Sequence, residues 1–165
     1  MLSIKIIDVK HFMNTLLKEE TFDRFLLREA TIKSGISYVI DGTINYDFYD
    51  TEEQEQFSHR TYCYFGEQRP FLFSLMKGKK TPLAFRIVFL MAQSNVQKLI
   101  DLNHLPFQVS DINGLFFNVH FEHGTLTCTS GTSLKVFTLD KTLEQVWEHN
   151  LKAFLKSKQI AFEEL

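Results

Sequence analysis

The densest positive charge in the chain surrounds Gly78, where Lys77, Lys79 and Lys80 are nearly consecutive. Together with Arg69, these cations form the candidate anion-binding site of the sequence. The alternative is a solvated hairpin tip, whose lysines keep two neighbouring apolar strands from pairing with other chains. Three lysines contribute about 1 kcal/mol each at an anionic surface, well below the ~8 kcal/mol of micromolar binding. We therefore expect only weak contact with polyanions.

His120, Glu122 and His123 are metal-ligating residue types that lie close together in the sequence. On a strand, residues three apart point to opposite faces, and the two that share a face are too few ligands for zinc. Cys128 and His120 would supply a nucleophile and a base, but the same alternation sends the thiol into the core and the imidazole outward. The sequence therefore predicts no metal site, no Cys–His catalytic pair and no cofactor.

Two further polar stretches are explained by local structure. Residues 129–133 offer hydroxyl groups around a glycine. They lack the lysine and the following helix of a phosphate-binding loop, and a hairpin turn favours the same residue types. The acidic residues between Asp47 and Glu55 lack the ligand spacing and the placed glycine of a calcium loop. We predict an exposed segment there, with one short helix that starts from a capping box at Thr51 and Gln54.

The overall composition is that of a folded, nearly neutral domain. The chain has 165 residues, with 18 Lys and Arg against 20 Asp and Glu. This balance disfavours a protein that coats nucleic acid or an anionic membrane by bulk charge. Seventeen Phe residues against one Trp and five Tyr are the unusual feature. We expect a single globular domain over residues 1–165.

The predicted compartment is the cytoplasm. Cys63 and Cys128 are too few for a disulfide scaffold. The N-terminal residues lack the basic and apolar regions of a signal peptide. The most apolar segment, residues 82–92, is interrupted by Arg86 and falls far short of the ~20 residues that cross a bilayer.

Periodicity predicts an α+β fold with a mainly antiparallel sheet and three helices. The first helix begins after Asp8, an N-cap that is followed by apolar residues at helical spacing. The second begins from a capping box at Ser94. The third and longest begins after Asp140, and its apolar stripe includes Trp147.

Two hairpins are predicted in the first half of the chain. A two-residue turn at Ser34-Gly35 joins residues 25–33 to residues 36–41. Further along, residues 71–75 and 83–91 flank the lysine loop. Pairing these two runs in the register that makes one face wholly apolar predicts that both are strands.

The cleanest alternation in the chain surrounds a turn at His123-Gly124. Residues 115–122 and 125–130 form a hairpin in this interpretation, with one apolar face and one polar face. Val119 and Cys128 share the apolar face. A three-residue loop at 130–132 is then predicted to start another strand.

Three segments resemble a bacterial family of uncharacterised proteins. They are residues 69–83, 126–135 and 161–165, so the resemblance spans essentially the whole chain. It implies a fold class, and it implies no activity because the family has none assigned.

A second likeness concerns only the order of elements. A strand-helix-strand-strand-strand unit, repeated, is the pattern of DNA sliding clamps, and residues 1–65 and 83–138 are candidates for a pseudo-repeat. A clamp needs basic helix faces towards DNA, whereas the second helix offers only Lys98 beside Asp101. The likeness is an analogy of topology, which does not establish function.

Three hypotheses for function follow. The first is a non-enzymatic cytoplasmic binding or scaffold domain whose partner is unknown, with another protein and a second copy of the chain as the two candidates. The second is an enzyme with a buried pocket that holds His11, His104 or His149 beside a carboxylate. The third is a clamp-like protein associated with DNA, which the charge balance disfavours. Exposure of any phenylalanine outside the periodic stripes would mark an interface; these are Phe48, Phe57, Phe65, Phe107 and Phe162.

Overall fold

The computed structural model describes residues 1–165, and its central feature is one seven-stranded sheet in which all neighbouring strands are antiparallel. The strands are β1 (Ser3–Ile6), β2 (Leu26–Lys33), β3 (Ser37–Asp41), β4 (Ala84–Leu90), β5 (Ile112–Glu122), β6 (Thr125–Leu134) and β7 (Phe162–Glu164). They are arranged in the order β3-β2-β4-β5-β6-β1-β7, so β3 and β7 form the two edges. The predicted α+β class with a mainly antiparallel sheet is confirmed.

Five α-helices accompany the sheet: the three that periodicity predicted, the short helix expected in the acidic segment, and one that was not expected. They are α1 (Val9–Leu17), α2 (Thr51–Glu55), α3 (Phe65–Met76), α4 (Gln93–Asn103) and α5 (Thr142–Ser157). The predicted cap of α1 is confirmed, because the Asp8 carboxylate accepts the His11 backbone N–H at 2.9 Å. None of the helices combines the length and apolar character that crossing a bilayer requires.

The core lies between the helices and one side of the sheet, which we call the inner face. Alternate residues of β4, β5 and β6 point to it, and Ile87, Val119 and Cys128 form one of its cross-strand rows. Phe22 joins the α1–β2 connection to this core, with its ring centroid 5.5 Å from that of Phe89. On α5 the predicted burial of Trp147 is confirmed, since its side chain is fully buried within the core.

The other side of the sheet, the outer face, carries the alternate residues and has no helix of the main core packed on it. Its central rows are mostly polar: Arg86 lies between Thr31 and His120, and Asn118 lies between Thr129 and the buried Val88. At one end the character changes, because Leu26, Leu90 and Phe116 are neighbours on adjacent strands.

The prediction of a strand over residues 71–75 was wrong, because this run belongs to α3. A strand would place every second residue on one face. The buried positions are instead Phe65, Leu72 and Met76, which recur at the spacing of one helical face. Residues 83–91 do contain a strand, β4, but its partners are β2 and β5.

The β5–β6 hairpin is confirmed, with Val119 paired to Cys128 as expected. The loop predicted at residues 130–132 was wrong, because β6 continues through this segment and Gly131 pairs with Phe116. The turn between β2 and β3 is one residue longer than predicted, since Lys33 pairs with Ser37.

The two units of the suggested pseudo-repeat differ in their strand pairing. In the second unit β4 pairs with β5, the strand that follows its helix. In the first unit β1 pairs with β6 and β7 and not with β2. The two units therefore differ in topology, although all seven strands belong to one continuous sheet.

Candidate functional site

The lysine loop that the sequence singled out follows the end of α3 and is fully exposed. Lys77, Lys79 and Lys80 all face solvent. Beyond them, the Leu83 backbone N–H donates to the Lys33 carbonyl at 2.8 Å and fixes the loop against the end of β2. The weak contact with polyanions stays a prediction for these three residues.

Arg69, the fourth member of that candidate site, is committed to a different partner. Its Nε atom donates to Asp23 Oδ1 at 2.8 Å and its Nη2 atom to Asp23 Oδ2 at 3.2 Å. The guanidinium also lies 3.4 Å from the Leu17 carbonyl oxygen. Because Lys77 lies roughly 12 Å further along the same helix, Arg69 holds α3 to the α1–β2 connection and is separate from the lysine loop.

The remaining histidine and acidic groups do not converge on one site. His120 and His123 each lie 3.8 Å from a carboxylate oxygen of Glu122, at an exposed hairpin end. No three His, Cys, Asp or Glu side chains are arranged to hold a metal ion. In the acidic segment Asp50 forms the capping box with Glu53 and starts α2 one residue earlier than predicted.

The imidazoles of the enzyme hypothesis form no hydrogen bond or salt bridge with a carboxylate. His104 and His149 are exposed. His11 is half-buried, and its Nε2 atom lies 3.4 Å from the Lys158 carbonyl oxygen. Among the five unassigned phenylalanines, Phe65 belongs to the core and Phe48 is 83% exposed, while the other three are half-buried.

A cavity of about 370 Å³ lies at the apolar end of the outer face. Its floor is a small buried cluster of Leu26, Leu90 and Ala92, which is separate from the main core. Tyr62 and Tyr64 are packed against this floor and form one wall. A cavity of this size with an apolar floor matches the usual dimensions of small-molecule sites. We call it the tyrosine cavity.

The opposite wall and the rim of the tyrosine cavity are more polar. They are formed by the first turn of α4 with Gln93 and Ser94, by Asn113 at the start of β5, and by His59 and Arg60 after α2. Arg60 is fixed there, since its Nη1 atom donates to the Tyr62 carbonyl at 3.1 Å. The site thus combines an apolar floor with hydrogen-bonding groups at its mouth.

The guanidinium of Arg60 also packs on an aromatic ring of the cavity wall. Its central carbon lies 4.1 Å from the centroid of the Tyr64 ring, within the range of a cation–π contact. A salt bridge from Nη2 to Glu67 Oε1 at 3.3 Å offsets part of the positive charge. Arg60 therefore contacts both tyrosines, the backbone of Tyr62 and the ring of Tyr64, and helps to hold them in place.

The tyrosine wall is held by backbone hydrogen bonds on both sides of the chain segment that carries it. Leu27 donates to the Cys63 carbonyl, and Cys63 donates to the Gly42 carbonyl, both at 2.9 Å. A glycine is required at position 42, because a Cβ atom there would lie 1.8 Å from the Leu27 carbonyl oxygen. The segment is thus wedged between the ends of β2 and β3, and Tyr62 and Tyr64 project from a fixed backbone.

Burial also affects the thiol between the two tyrosines. Desolvation, with a smaller effect of the Glu67 carboxylate, raises the pKa of Cys63 to about 11. Burial in the core raises the pKa of Cys128 further. Neither thiol is a ready nucleophile, because the thiolate is the reactive form.

A second, larger depression of about 620 Å³ lies between the α1–β2 connection and α5. Charged side chains of both signs line it, including Glu19, Arg24 and Lys158. Its apolar residues are mostly the half-buried margin of the main core, such as Phe25 and Phe154. The tyrosine cavity is the better candidate site because its floor is a buried apolar cluster that no helix covers.

The tyrosine cavity was not predicted from the sequence. A local signal existed, since Tyr62 and Tyr64 are two residues apart and would share one side of an extended segment. The floor and the opposite wall come from residues far away in the chain, and no local pattern connects them.

Comparison with known proteins gives a family without an activity. No curated protein and no solved structure matches the chain. The model of DUF5721, described as a family of unknown function, matches residues 15–163. That range contains the residues of the tyrosine cavity and all of the sheet except β1 and the last residue of β7. The chain therefore belongs to the DUF5721 family.

Proposed function

We propose that this chain is a non-enzymatic binding domain that takes a small organic molecule into the tyrosine cavity. The observation that carries the proposal is the floor of Leu26, Leu90 and Ala92, three buried apolar residues outside the main core. Apolar residues on an uncovered sheet face are costly unless something packs on them. Here the segment with the two tyrosines packs on them and leaves a cavity of about 370 Å³ beside them.

The chemistry of the lining favours a ligand with a flat apolar body and a polar substituent. Tyr62 and Tyr64 offer aromatic surface, on which a planar group gains about 0.5–1.5 kcal/mol beyond its area burial. Ser94, Gln93 and Asn113 supply hydroxyl and amide groups at the rim. This division into an apolar floor and a few polar groups is typical of sites that orient a small molecule.

The proposal also includes the cellular compartment of the protein and its source. Cys63 and Cys128 are both free thiols, which supports a reducing compartment such as the cytoplasm. The resemblance to an uncharacterised bacterial family supports a bacterial source.

Naphthol is a suitable probe, because it is planar, apolar and carries one hydroxyl group. We expect it to bind in the micromolar to millimolar range and to shift the NMR signals of residues around Tyr62, Leu90 and Ser94. Ser94→Trp should fill the mouth of the cavity and weaken naphthol binding roughly tenfold or more. Lys98→Trp, one turn later on α4, is the matched control and should bind as the wild type does.

Two results would contradict the proposal. One is naphthol that perturbs only residues outside the cavity. The other is equal binding by the wild type and Ser94→Trp while both remain folded by circular dichroism.

A further inference from the structure

The edge strand β3 has one side without a partner, and its hydrogen bonds to β2 determine which groups are free. Gly42 donates to the Arg28 carbonyl at 2.9 Å, and Ser34 donates to the Ile36 carbonyl at 3.0 Å. Because backbone groups alternate in direction along a strand, the N–H and C=O groups of Ser37, Val39 and Asp41 point away from β2. No strand of the chain lies on that side.

The opposite edge of the sheet is protected, and β3 is not. β7 has three residues, and its glutamates form salt bridges with Lys5 and Lys152. A short, charged edge strand is a common protection against pairing with another chain. β3 has five residues and a single charge at its end, and Val39 at its centre is 72% exposed.

We propose that β3 pairs antiparallel with β3 of a second copy of this chain, with the two-fold axis at Val39. In this register Val39 is opposite Val39 of the second copy, and Ser37 is opposite Asp41 of the second copy. All three residues have their backbone groups on the free side, so every one of these groups gains a partner. The strand is therefore complementary to itself, as a symmetric dimer requires.

The side chains support the same register. On the inner face Tyr38 is placed opposite Ile40 of the second copy, and both are half-buried in the single chain. Aromatic–aliphatic cross-strand pairs of this kind stabilise antiparallel strands relative to alanine pairs. The pairing also brings exposed Ile36 of one copy towards the end of β3 in the other, where Phe48 is 83% exposed.

Charge complementarity points to the second copy as the occupant of this edge. Within one chain Asp41 is opposite Glu29, a like-charge pair on the outer face. Lys33 is opposite Ser37. In the dimer Ser37 of one copy lies between its own Lys33 and Asp41 of the other copy, so the lysine can extend across Ser37 to the carboxylate. The second copy thus supplies Asp41 with a further cation besides Arg28 of its own chain.

The test uses Val39→Pro and the full chain. This substitution removes the central N–H and places the proline ring at the axis, while the bonds to β2 persist because that N–H points away from β2. By light scattering after size exclusion, we expect a dimeric wild type and a dissociation constant raised roughly tenfold or more in Val39→Pro. Val39→Thr keeps the N–H and the branched shape, and it should remain dimeric.

A cross-linking variant keeps the proposal testable if Val39→Pro fails to fold. Paired residues of this kind have Cα atoms about 5.5 Å apart, within the range that a disulfide spans. Val39→Cys should form covalent dimers under mild oxidation, whereas Val136→Cys, which is also exposed, should not. A wild type that is monomeric at submillimolar concentration, a dimer that persists in folded Val39→Pro, or equal cross-linking of the two cysteine variants would overturn the proposal. So would a monomer that accepts an extended peptide of another protein along β3.

Discussion

The inner and outer faces of the sheet are built from the same strands but have opposite chemistry. Along β4, Ile87 is fully buried against the helices, while its neighbour Arg86 is exposed on the outer face. Along β5, Val119 and His120 differ in the same way. The alternation of the side chains separates a surface that stabilises the fold from a surface that is free to interact.

The apolar end of the outer face is the exception, and for that reason it is informative. Leu26, Leu90 and Phe116 would be expected under a helix, but only the segment with Tyr62 and Tyr64 covers them. Leu26 and Leu90 are nevertheless buried, at 8% and 5% exposure, and the row borders the cavity. Its position beside a cavity makes a role in binding the simplest physical reason for its residue types.

The largest expected effect concerns the inner face. Trp147→Ala should lower the free energy of unfolding by roughly 3–5 kcal/mol, because it removes a fully buried side chain from the core. It also leaves the Phe116 carbonyl without the Nε1 donor that now lies 2.9 Å away. Urea denaturation measures the difference. Trp147→Phe is the control that keeps most of the packing and loses this hydrogen bond, and its cost should be smaller.

An unchanged denaturation midpoint for Trp147→Ala would mean that α5 contributes little to the core. The inner face would then not dominate stability, and the comparison of the two faces would fail.

A sharper comparison uses two neighbours on one strand. Ile87→Ala on the inner face should cost about 2–5 kcal/mol, and Arg86→Ala on the outer face should stay within about 0.5 kcal/mol of the wild type. Both changes truncate a side chain at the same depth in the sheet, between the same strands. Similar losses from the two substitutions would show that the outer face is covered in solution, as by a partner.

The sequence alone predicted the structure correctly where a strand has one solvent-exposed face and one buried face. The alternation in β5 and β6, with the turn at His123-Gly124, predicted the hairpin and the position of Cys128 correctly. It also led to the rejection of a Cys128–His120 pair, which the structure places on opposite faces. Local periodicity was enough because burial follows it directly.

The prediction from the sequence was wrong where the same residues fitted both the two-residue period of a strand and the 3.6-residue period of a helix. Phe71, Leu72 and Phe73 are consistent with a strand when only a short window is considered. The longer pattern of Phe65, Leu72 and Met76 is helical, but Gly66 and Pro70 obscured it. The bond from Arg69 to Asp23 joins elements 46 residues apart, which no local pattern indicates.

The last two predictions concern the two free thiols, which differ in burial. Cys128 belongs to the inner face. Cys63 lies between Tyr62 and Tyr64 in the segment that covers the outer face, but its own side chain packs at the margin of the main core. We expect both to react slowly with iodoacetamide in the native protein at neutral pH, with Cys63 the faster because it is only half-buried. Mass spectrometry of labelled peptides measures the two rates.

The free energy of unfolding should decrease at alkaline pH because of the same two thiols. An unfolded thiol titrates near 8.5, whereas burial raises the pKa of Cys63 to about 11 in the folded chain. Below pH ~8.5 both states keep the proton, so Cys63 adds no pH dependence. Above it the unfolded state ionises first, and stability falls as the pH rises towards the folded value. Cys63→Ala should reduce this decline, and Cys128→Ala should reduce it as well, since burial raises that pKa too. In the labelling experiment, a faster reaction of Cys128 than of Cys63 would show that the inner face opens more readily than the tyrosine wall. That result would contradict the deeper burial of Cys128.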